Sequence, residues 1–342
     1  MPTKHLSDKT PAPSGTGLRA ALTGLGSYLP EKVMTNADFA KIVDTSDEWI
    51  LTRTGIRERH VARSDEAASD MAVEASLRAL EAAGVKAEAV EMIVVATLTP
   101  DHAFPNTACL VQRKIGAKNA FCFDLEAACS GFIFGVEMAR RCIEGGGVRT
   151  ALVIGSEKMS SIVDYTDRQT CVLFGDGAGA AVLQATGDGR GVLGTVMGSD
   201  GDLADLLIQP AGGSRTPATE ETVKQKLHMI RMSGREVFKH AVLNMVHSIK
   251  KALAISGCAL PDIACVIPHQ ANLRIIEAIA DRLGVGADRF YINVDRTGNM
   301  SSASIPVALD EALRSGRVKR GDKVLTVAFG SGFTWGASVI QM

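Results

Sequence analysis

Short apolar, β-branched runs alternate with amphipathic stretches along the chain from about residue 18 to its end. The runs MIVVATLT (92–99), ALVIGSE (151–157), CVIP (265–268) and KVLTVAF (323–329) are mainly apolar, as is typical of strands buried on both faces. Stretches between them, such as SGFIFGVEMARRCIEGGG, have helical spacing and end in glycine. This alternation predicts an α/β protein in which helices cover central sheets.

The same order of elements occurs twice. Strand MIVVATLT, helix NTACLVQRKIG, strand AFCFDLE and the loop AACSG in the first half match strand CVIP, helix NLRIIEAIADRLG, strand FYINV (290–294) and the loop RTGNMSS in the second. Each half closes with a glycine loop between apolar strands, VLFGDGAGAAVL and TVAFGSGFTWGASVI. We predict two duplicated halves, 18–190 and 191–342, whose loops meet at a shared midline where ligands collect.

Residues 1–17 are predicted to be a flexible tail. They contain Lys, Pro, Ser and Thr but lack the apolar core of a signal peptide. No later apolar stretch approaches the roughly 18 residues that a membrane span needs.

Composition narrows the class of protein further. The chain has 342 residues, 46% of them hydrophobic, and a formal net charge of −1, so no global field attracts nucleic acid or a membrane. Its seven cysteines form no C-x-x-C pair, and an odd number cannot all pair internally, which favours a reduced, cytoplasmic protein. No cluster of His, Cys or carboxylates has metal-ligand spacing, so we predict no metal site.

Cys129 differs from the other cysteines because it lies in AACSGFIFG, where a loop gives way to a helix. A thiol there experiences the positive end of the helix dipole, which favours the thiolate and lowers the pKa from about 8.5. The small neighbouring residues also let a substrate carbonyl approach the backbone. We therefore predict that Cys129 is a nucleophile and that the other six cysteines are structural.

His269 and Asn299 are the other candidate catalytic residues. His269 follows strand CVIP, and Pro268 directs the chain out of the sheet, so we expect the imidazole at the C-terminal edge of that strand. Asn299 lies in the turn-rich loop DRTGNMSSAS, where many asparagines only satisfy a turn. All three candidates lie on loops that leave buried strands, and this shared placement favours a common site.

Two other classes share single features with this chain. Papain-like proteases also have the order Cys, His, Asn with about 140 residues between Cys and His, but the C-G-S-C-W surroundings of that class are absent here. The segment GDGAGA (175–180) has the glycines of a phosphate-binding loop, but the AAVLQA that follows does not predict the helix such a loop needs.

Three segments together resemble the signatures of thiolase-fold ketosynthases: AACSGF at Cys129, PHQANLRI at His269 and GNMSSASIP at Asn299. DTSDEWILTRTGIRERH, HAFPNTACLVQ, YTDRQT, FGDGAGAAVL and GFTWGASVI are similar to the β-ketoacyl-acyl-carrier-protein synthase III family, and the resemblance covers nearly all of 18–342. It implies a five-layer αβαβα thiolase-like fold, a homodimer, and an acyltransferase with no permanently bound cofactor.

The resemblance also implies a two-stage reaction that starts fatty acid biosynthesis. Cys129 would take the acyl group from an acyl-CoA, with acetyl-CoA as the expected primer. Malonyl-acyl carrier protein (malonyl-ACP) would then lose CO₂, and its carbanion would attack the acyl group. His269 and Asn299 would donate hydrogen bonds to the thioester oxygen on which charge develops. The Cys129 N–H and an N–H of the 330–332 turn, at Ser331 where the family usually has glycine, would form an oxyanion hole.

Further residues match binding positions of the family. The resemblance implies that Trp49 and Arg168 sandwich the adenine of CoA, that Arg53 contacts its phosphates, and that Phe104 reaches across the dimer to the acyl pocket. The remaining substrate-binding matches are Gly234, Phe238 and Asn272, of which Asn272 would line the pantetheine channel.

A basic patch is the expected docking surface for the acidic carrier protein. SGRE (233–236) reads as a capping box, Ser233 with Glu236, that starts a helix near residue 234. Arg235 and Lys239 share one side of that helix, and Arg274 matches a docking residue of the family. Arg235 departs from the pattern of the family that the chain resembles, in which a smaller polar residue is often found at this position.

Three alternatives stay within the same fold. A priming ketosynthase of a polyketide or quinolone pathway would use the same three catalytic residues with another substrate. Hydroxymethylglutaryl-CoA synthase needs a catalytic carboxylate near the cysteine, and Glu126 is the nearest in sequence. A catalytically silent partner subunit would typically lack the nucleophile, which is present here.

Overall fold

The structure, a computed structural model, describes residues 17–342; the rest of the predicted tail, 1–16, lies outside the described residues. The strands are β1 (Arg19–Tyr28), β2 (Lys32–Thr35), β3 (Glu58–Val61), β4 (Met92–Ala96), β5 (Phe121–Leu125), β6 (Thr150–Lys158), β7 (Asp176–Thr186), β8 (Gly191–Ser199), β9 (Leu207–Ile208), β10 (Arg231–Met232), β11 (Ile263–Pro268), β12 (Lys323–Gly330) and β13 (Thr334–Gln341). The helices are α1 (Asn36–Phe39), α2 (Asp47–Thr54), α3 (Ala68–Ala83), α4 (Thr107–Ile115), α5 (Gly131–Glu144), α6 (Glu220–Lys224), α7 (Gly234–Ser256), α8 (Leu273–Leu283), α9 (Val294–Thr297) and α10 (Ser304–Arg314).

Two large sheets form the framework, and each takes its strands from one half of the chain. The first has the order β1-β7-β6-β4-β5, in which β4 pairs in parallel with both β5 and β6. The second has the order β11-β12-β13-β8, in which β11 and β12 are parallel. The uniformly apolar runs of the sequence are the central strands, because a strand covered by helices on both faces has no polar side.

Helices cover both faces of each sheet and separate the two sheets. The core between the sheets contains the apolar faces of α5 and α10, while α3 and α4 pack on the outer face of the first sheet. Helices α7 and α8 pack on the outer face of the second sheet. The layer order is therefore α-β-α-β-α, and the predicted five-layer α/β fold is confirmed.

The two halves repeat one order of elements. Strand β1, helix α3, strand β4 and helix α4 are followed by β5, α5, β6 and β7; in the second half β8, α7, β11 and α8 are followed by α10, β12 and β13. The matching strands also occupy matching places in their sheets. We propose on this basis that the chain consists of two related halves with a boundary near residue 190.

The second half lacks the counterpart of β5, so the predicted strand FYINV (290–294) is wrong. Only an isolated bridge joins Phe290 to Val266, and helix α9 already begins at Val294. The cause is the side chain of Gln270, whose Oε1 accepts hydrogen bonds from the N–H groups of Asn293 (3.0 Å) and Val294 (3.1 Å). Those two donors are therefore not available to a sheet partner, and the chain turns into α9.

The predicted glycine loop at 175–180 is also different in the structure, since Asp176 onward is strand β7. Glycines there allow close packing: a side chain at Gly179 would collide with Pro306 of α10. The prediction that no helix follows this segment is correct, and the segment is part of the first sheet rather than a phosphate-binding loop.

Candidate active site

A cavity of about 940 Å³ opens where the loops of the two halves meet. Its lining includes Cys129, His269 and Asn299, so the tertiary structure brings together three residues that are far apart in the sequence. All three are buried, with 9%, 3% and 7% of their surfaces exposed, and therefore belong to the inner end of the cavity. Exposed arginines line the mouth: Arg53, Arg168, Arg235 and Arg274.

Cys129 lies in the middle of a 3₁₀ turn, Ala128–Ser130, that leads directly into α5. Ala128 has a φ of +45°, a left-handed conformation that is unfavourable for a residue with a side chain. Two hydrogen bonds stabilise this conformation: the Ala128 N–H donates to Glu126 Oε1 (2.9 Å), and Thr334 Oγ1 donates to the Ala127 carbonyl (2.8 Å). The turn therefore fixes Cys129 at the beginning of α5, as predicted.

The expected lowering of the Cys129 pKa is wrong for the protein without substrate. Burial raises the pKa of this thiol to about 12, and the nearby Glu157 carboxyl also raises it. Hydrogen bonding by the Ser301 hydroxyl and a backbone N–H lowers it, but by less. The desolvation of a thiolate in this enclosed site outweighs the helix N-terminus, so the resting nucleophile is a thiol.

His269 directly follows β11, as predicted, and its N–H continues the ladder by donating to the Val327 carbonyl (2.7 Å). Gln270 next to it holds the loop, since its Nε2 donates to the carbonyls of Pro268 (2.9 Å) and Tyr291 (3.0 Å). Burial lowers the pKa of His269 to about 3. The imidazole is therefore neutral at physiological pH and can donate one hydrogen bond without bringing a charge.

Asn299 lies between α9 and α10 and is held by a segment of the other half. Its N–H donates to the Leu173 carbonyl (2.8 Å), and its carbonyl accepts from the Gly175 N–H (3.1 Å). The side-chain Oδ1 accepts from the Ser301 N–H (2.8 Å). Because this bond commits the oxygen, the amide nitrogen of Asn299 is the group left to donate to a ligand in the cavity.

The Gly330–Ser331 backbone packs against the turn that carries Cys129. A side chain at Gly330 would come within 2.6 Å of the Cys129 nitrogen, so the position needs glycine. The Ser331 hydroxyl faces away from this contact and donates to the Leu207 carbonyl (2.5 Å). The Ser331 side chain thus ties the turn to β9, and Ser331 also lines the cavity.

Two arginines lie over the indole ring of Trp49 at the mouth of the cavity. The guanidinium of Arg53 lies 4.5 Å from the centre of the indole and that of Arg168 lies 5.5 Å from it, both within cation–π range. Arg168 is also held by Asp44, whose carbonyl (2.8 Å) and carboxylate (3.1 Å) accept from it. This cluster combines an aromatic face with two positive charges, which suits a purine attached to phosphates.

Asn272, Gly234 and Phe238 also line the cavity. Asn272 is the N-cap of α8, where its Oδ1 accepts from the Arg274 N–H (2.9 Å) while its Nδ2 donates to the Arg53 carbonyl (3.0 Å). It therefore joins α8 to α2 across the channel. Phe238 lies on α7, and the guanidinium of Arg274 is 6.0 Å from the centre of its ring.

Helix α7 begins at Gly234 as predicted, but the predicted capping box is not formed. Ser233 makes no side-chain cap bond, and its N–H donates instead to the Leu206 carbonyl (2.8 Å), so that N–H is not available to Glu236. Arg235 and Lys239 are both exposed on α7; Arg235 lines the cavity mouth and Lys239 lies 3.9 Å from the Glu236 carboxylate. Together with Arg274 they form a basic patch beside the cavity.

Phe104 does not line the cavity of its own chain. Its surface is 86% exposed, the most among the exposed large apolar residues in 17–342. The prediction that it reaches a second subunit stays a prediction.

The sequence analysis missed Glu157 and Ser301. Glu157 is the penultimate residue of β6, with none of its surface exposed, and it accepts hydrogen bonds from Thr97, Leu98 and Thr99. The Ser301 hydroxyl lies beside both the Cys129 thiol and the Glu157 carboxyl without a hydrogen bond of ordinary geometry to either. A charged residue at the end of the run ALVIGSE, whose other residues are apolar or small, is the signal in the sequence that could have identified Glu157.

Three further observations concern membrane-spanning helices, metal ligands and the state of the cysteines. Within residues 17–342 no helix is long and apolar enough to cross a membrane. The same residues contain no group of three or more His, Cys, Asp or Glu that could hold a metal ion. All seven cysteines are free thiols.

Two family models and a curated relative that match this chain carry the same function name. Residues 253–342 match the family model for the C-terminal part of 3-oxoacyl-[acyl-carrier-protein (ACP)] synthase III, and residues 123–201 match the model for 3-oxoacyl-[ACP] synthase III. The β-ketoacyl-[ACP] synthase III of Caldanaerobacter subterraneus is 54% identical over 95% of this chain and 98% of its own length.

Solved structures agree with these sequence matches. The 3-oxoacyl-[ACP] synthase III of Aquifex aeolicus is 46% identical, with a TM-score of 0.88 over 94% of this chain and 100% of the other. The priming β-ketosynthase of the R1128 polyketide pathway is 37% identical, with a TM-score of 0.88 over 95% and 96%. High identity over nearly the whole length, on the same five-layer fold, shows that this chain belongs to the β-ketoacyl-[ACP] synthase III family of thiolase-fold condensing acyltransferases.

Proposed function

We propose that this protein condenses an acyl-CoA primer, acetyl-CoA, with malonyl-ACP to give a 3-oxoacyl-ACP, CoA and CO₂, and so starts fatty acid biosynthesis. The observation that carries the proposal is the placement of Cys129, His269 and Asn299 at the inner end of one cavity, with a neutral imidazole and an amide beside a buried thiol. These are a nucleophile and two uncharged donors, which is what the two half-reactions need.

In the first half-reaction the Cys129 sulfur attacks the thioester carbonyl of the acyl-CoA. The new bond joins sulfur to the acyl carbon, the bond to the CoA sulfur breaks, and the thiol proton ends on CoA. The Cys129 N–H and the N–H of Ser331 would form the oxyanion hole, which is supported by the close approach of the neighbouring Gly330 to the Cys129 nitrogen. Because the resting thiol is protonated, deprotonation must accompany attack.

In the second half-reaction malonyl-ACP loses CO₂, and the electrons of the broken bond form an enolate whose carbon attacks the acyl group. The Cys129 thiolate leaves and later takes a proton from solvent. His269 and Asn299 donate to the thioester oxygen on which the enolate charge develops. Neutral donors suit this task because a positive charge would stabilise the malonyl carboxylate before it reacts.

The cavity mouth fits the two carriers of these acyl groups. Trp49 with Arg53 and Arg168 would hold the adenine and phosphates of CoA, and Asn272, Gly234 and Phe238 would line the path of the pantetheine arm. The basic patch of Arg235, Lys239 and Arg274 would receive the acidic carrier protein, which binds transiently. No permanently bound cofactor or metal is part of the proposal.

The protein is proposed to act in the cytoplasm as a homodimer, without binding nucleic acid or a membrane. Its seven free thiols suit a reducing compartment. Strand β5 is an edge of the first sheet, and Phe104 is almost fully exposed, so pairing of two copies at this edge would cover both features.

Three alternatives are less well supported. The relative from Caldanaerobacter, at 54% identity, is more similar than the priming ketosynthase of the polyketide pathway, at 37%, which favours the fatty acid role. A catalytically silent subunit would not need Cys129, His269 and Asn299 to line one cavity, as they do here. Glu126 holds the Ala128 N–H and so has a role in the turn, which weakens the hydroxymethylglutaryl-CoA synthase reading.

Intact-protein mass spectrometry tests the proposed function. With acetyl-CoA we expect a stable acetyl adduct on the protein, and malonyl-ACP should then discharge it as acetoacetyl-ACP. A longer acyl-CoA in parallel shows which primer is preferred. An adduct that malonyl-ACP does not discharge would mean a different acceptor, and no adduct with any acyl-CoA would contradict the proposed acyl transfer.

One variant at each site distinguishes the proposed CoA site from the proposed ACP docking patch. Trp49→Ala removes the stacking surface, and we expect the KM for acyl-CoA to rise about tenfold with little change for malonyl-ACP. Lys239→Glu reverses a charge outside the cavity, and we expect the KM for malonyl-ACP to rise about three- to tenfold, with a smaller effect at high salt.

Lys250→Glu, an exposed lysine farther along the same helix, is the matched control for charge alone. Equal effects of Lys239→Glu and Lys250→Glu on malonyl-ACP would contradict a local docking patch. An unchanged KM for acyl-CoA in Trp49→Ala would exclude Trp49 from the CoA site.

A further inference from the structure

Glu157 is a buried carboxyl with no buried counter-charge. Within residues 17–342 its hydrogen-bond partners are hydroxyl and backbone groups, and none of the ion pairs there involves it. Its pKa is raised, and burial is the main cause. A carboxylate in such surroundings would be strongly destabilised. Whether Glu157 carries a proton can be decided from which of its hydrogen-bond partners have a hydrogen to donate to it.

One oxygen of Glu157 is a pure acceptor. Oε2 lies 2.7 Å from Thr99 Oγ1, 3.2 Å from Thr97 Oγ1 and 3.1 Å from the Leu98 nitrogen. Thr97 Oγ1 already accepts from the Thr99 N–H (3.1 Å), and Thr99 Oγ1 accepts from the Lys158 N–H (2.9 Å). Both hydroxyl hydrogens are therefore free to donate to Oε2, which receives three hydrogens and needs none of its own.

The other oxygen lies against Ser302, whose hydroxyl has a single hydrogen. Ser302 Oγ is 2.7 Å from the Ala96 carbonyl and 2.8 Å from Glu157 Oε1. The Ala96 carbonyl and an ionised Oε1 can both only accept, so the single serine hydrogen could serve only one of these two short contacts. Oε1 also lies 3.4 Å from the Ser302 nitrogen, whose N–H donates to it. With the serine hydrogen on the Ala96 carbonyl, the hydroxyl oxygen of Ser302 can accept a hydrogen from Glu157. The short contact with Glu157 is then a hydrogen bond only if Oε1 carries a proton and donates it to Ser302.

This proton joins the first sheet to the loop that carries a catalytic candidate. Gly155 of β6 packs on the Ser302 carbonyl so closely that a side chain there would collide with it. The neighbouring Ser301 N–H holds the amide of Asn299 (2.8 Å), and the Ser301 hydroxyl lies beside the Cys129 thiol. Ser301 itself has a φ of +45°, so the turn depends on its contacts.

We propose that Glu157 is a positioning residue that acts as a neutral acid: the proton it donates to Ser302 holds the Ser301–Ser302 turn against Cys129 and Asn299. The neutral form also avoids a second negative charge beside Cys129 when that residue becomes a thiolate leaving group. Two carboxyl groups, those of Glu157 and Glu126, act on the Cys129 thiol, and Glu126 is exposed to solvent. The imidazole of His269 lines the same cavity and is neutral. The catalytic side of this inference rests on the proposed roles of Cys129 and Asn299.

The pH dependence of stability tests the protonation state independently of those roles. Glu157→Gln places an N–H₂ where the acid O–H donates and a carbonyl where Oε2 accepts, so it reproduces the neutral acid but cannot ionise. A raised pKa in the folded protein means that the unfolded chain loses this proton first, so stability is lost as pH rises above the unfolded value of about 4.3. We expect the folding equilibrium constant of wild type, relative to Glu157→Gln, to fall as the pH rises above 5, by at most tenfold per pH unit.

Urea unfolding at a fixed protein concentration measures this ratio. Glu74→Gln, an exposed carboxyl on α3, is the matched control and should give no pH-dependent difference from wild type. A wild-type to Glu157→Gln ratio that is constant above pH 5 would show an ionised carboxylate and overturn the proposal. Should the variant fold poorly, infrared spectra of wild type labelled with ¹³C-glutamate must contain a protonated carboxyl band that shifts with the label, and its absence at pH 7 overturns it as well.

Alkylation of Cys129 tests the electrostatic part. If Glu157 is neutral, Cys129 should react with iodoacetamide at the same rate in wild type and in Glu157→Gln at a fixed pH near 7; an ionised neighbour would instead make the variant react about tenfold faster. For the positioning part, Glu157→Leu removes the hydrogen bonds of both carboxyl oxygens and should slow condensation at least tenfold, whereas Glu157→Gln should retain most of the wild-type rate. Loss of the acyl adduct in wild type would refute the proposed function but leave the stability result intact.

Discussion

Replacing Cys129 with alanine is expected to abolish acyl transfer, with a fall in the overall condensation rate of about a thousandfold or more, because no other thiol of residues 17–342 lines the cavity. Cys171 and Cys265 are buried elsewhere in the fold and do not line the cavity. Intact mass after incubation with acetyl-CoA should show an adduct on wild type and none on Cys129→Ala.

Cys142→Ala is the control for thiol loss alone, since this cysteine lies at the far end of α5 and packs beside the core between the sheets. It should retain the adduct. An acetyl adduct that persists in Cys129→Ala would place the nucleophile elsewhere, and the assignment of Cys129 would be wrong.

His269→Ala and Asn299→Ala are expected to lose condensation while they keep acylation, because both donors are needed where the enolate charge develops. Removal of one such donor typically lowers the rate by about 10²- to 10³-fold. Acetyl transfer to Cys129 should remain within about tenfold of wild type, since its oxyanion is held by backbone N–H groups. Release of CO₂ from malonyl-ACP and the acyl adduct are measured separately.

Asn299→Asp gives a sharper comparison because it keeps the shape and the Oδ1 that accepts from Ser301. It replaces the donor with a carboxylate next to a developing negative charge, so it should be at least as slow as Asn299→Ala. Equal losses of acylation and condensation in all three variants would contradict a separate role in decarboxylation.

Local patterns were sufficient for most of the fold. An apolar run such as the one that became β4 is buried on both faces because its own residues leave no polar side, and the glycines after the helices end them by their own backbone freedom. The three candidate catalytic residues were found for the same reason: each is marked by neighbours within a few positions, AACSGF, PHQANLRI and GNMSSASIP. Such signals do not depend on distant contacts.

Predictions failed where a distant group competes for the same atoms. FYINV has the composition of a strand, but the amide of Gln270 takes the N–H groups that would have paired. The capping box at Ser233 fails because the Leu206 carbonyl takes its N–H. Neither competitor is visible from spacing alone, since both come from residues more than twenty positions away in the chain.

The chain's own sequence determined the α/β layers, the order of elements and the identity of the nucleophile and donor candidates, because periodicity and neighbouring residues decide these. Only the tertiary structure decided the chemical state of the site. Burial by both halves raises the pKa of Cys129 despite its helix N-terminus and keeps His269 neutral. The network of Glu157 likewise requires Thr97, Thr99 and Ser302 to meet, and desolvation and hydrogen-bond partners of this kind exist only once the chain has folded.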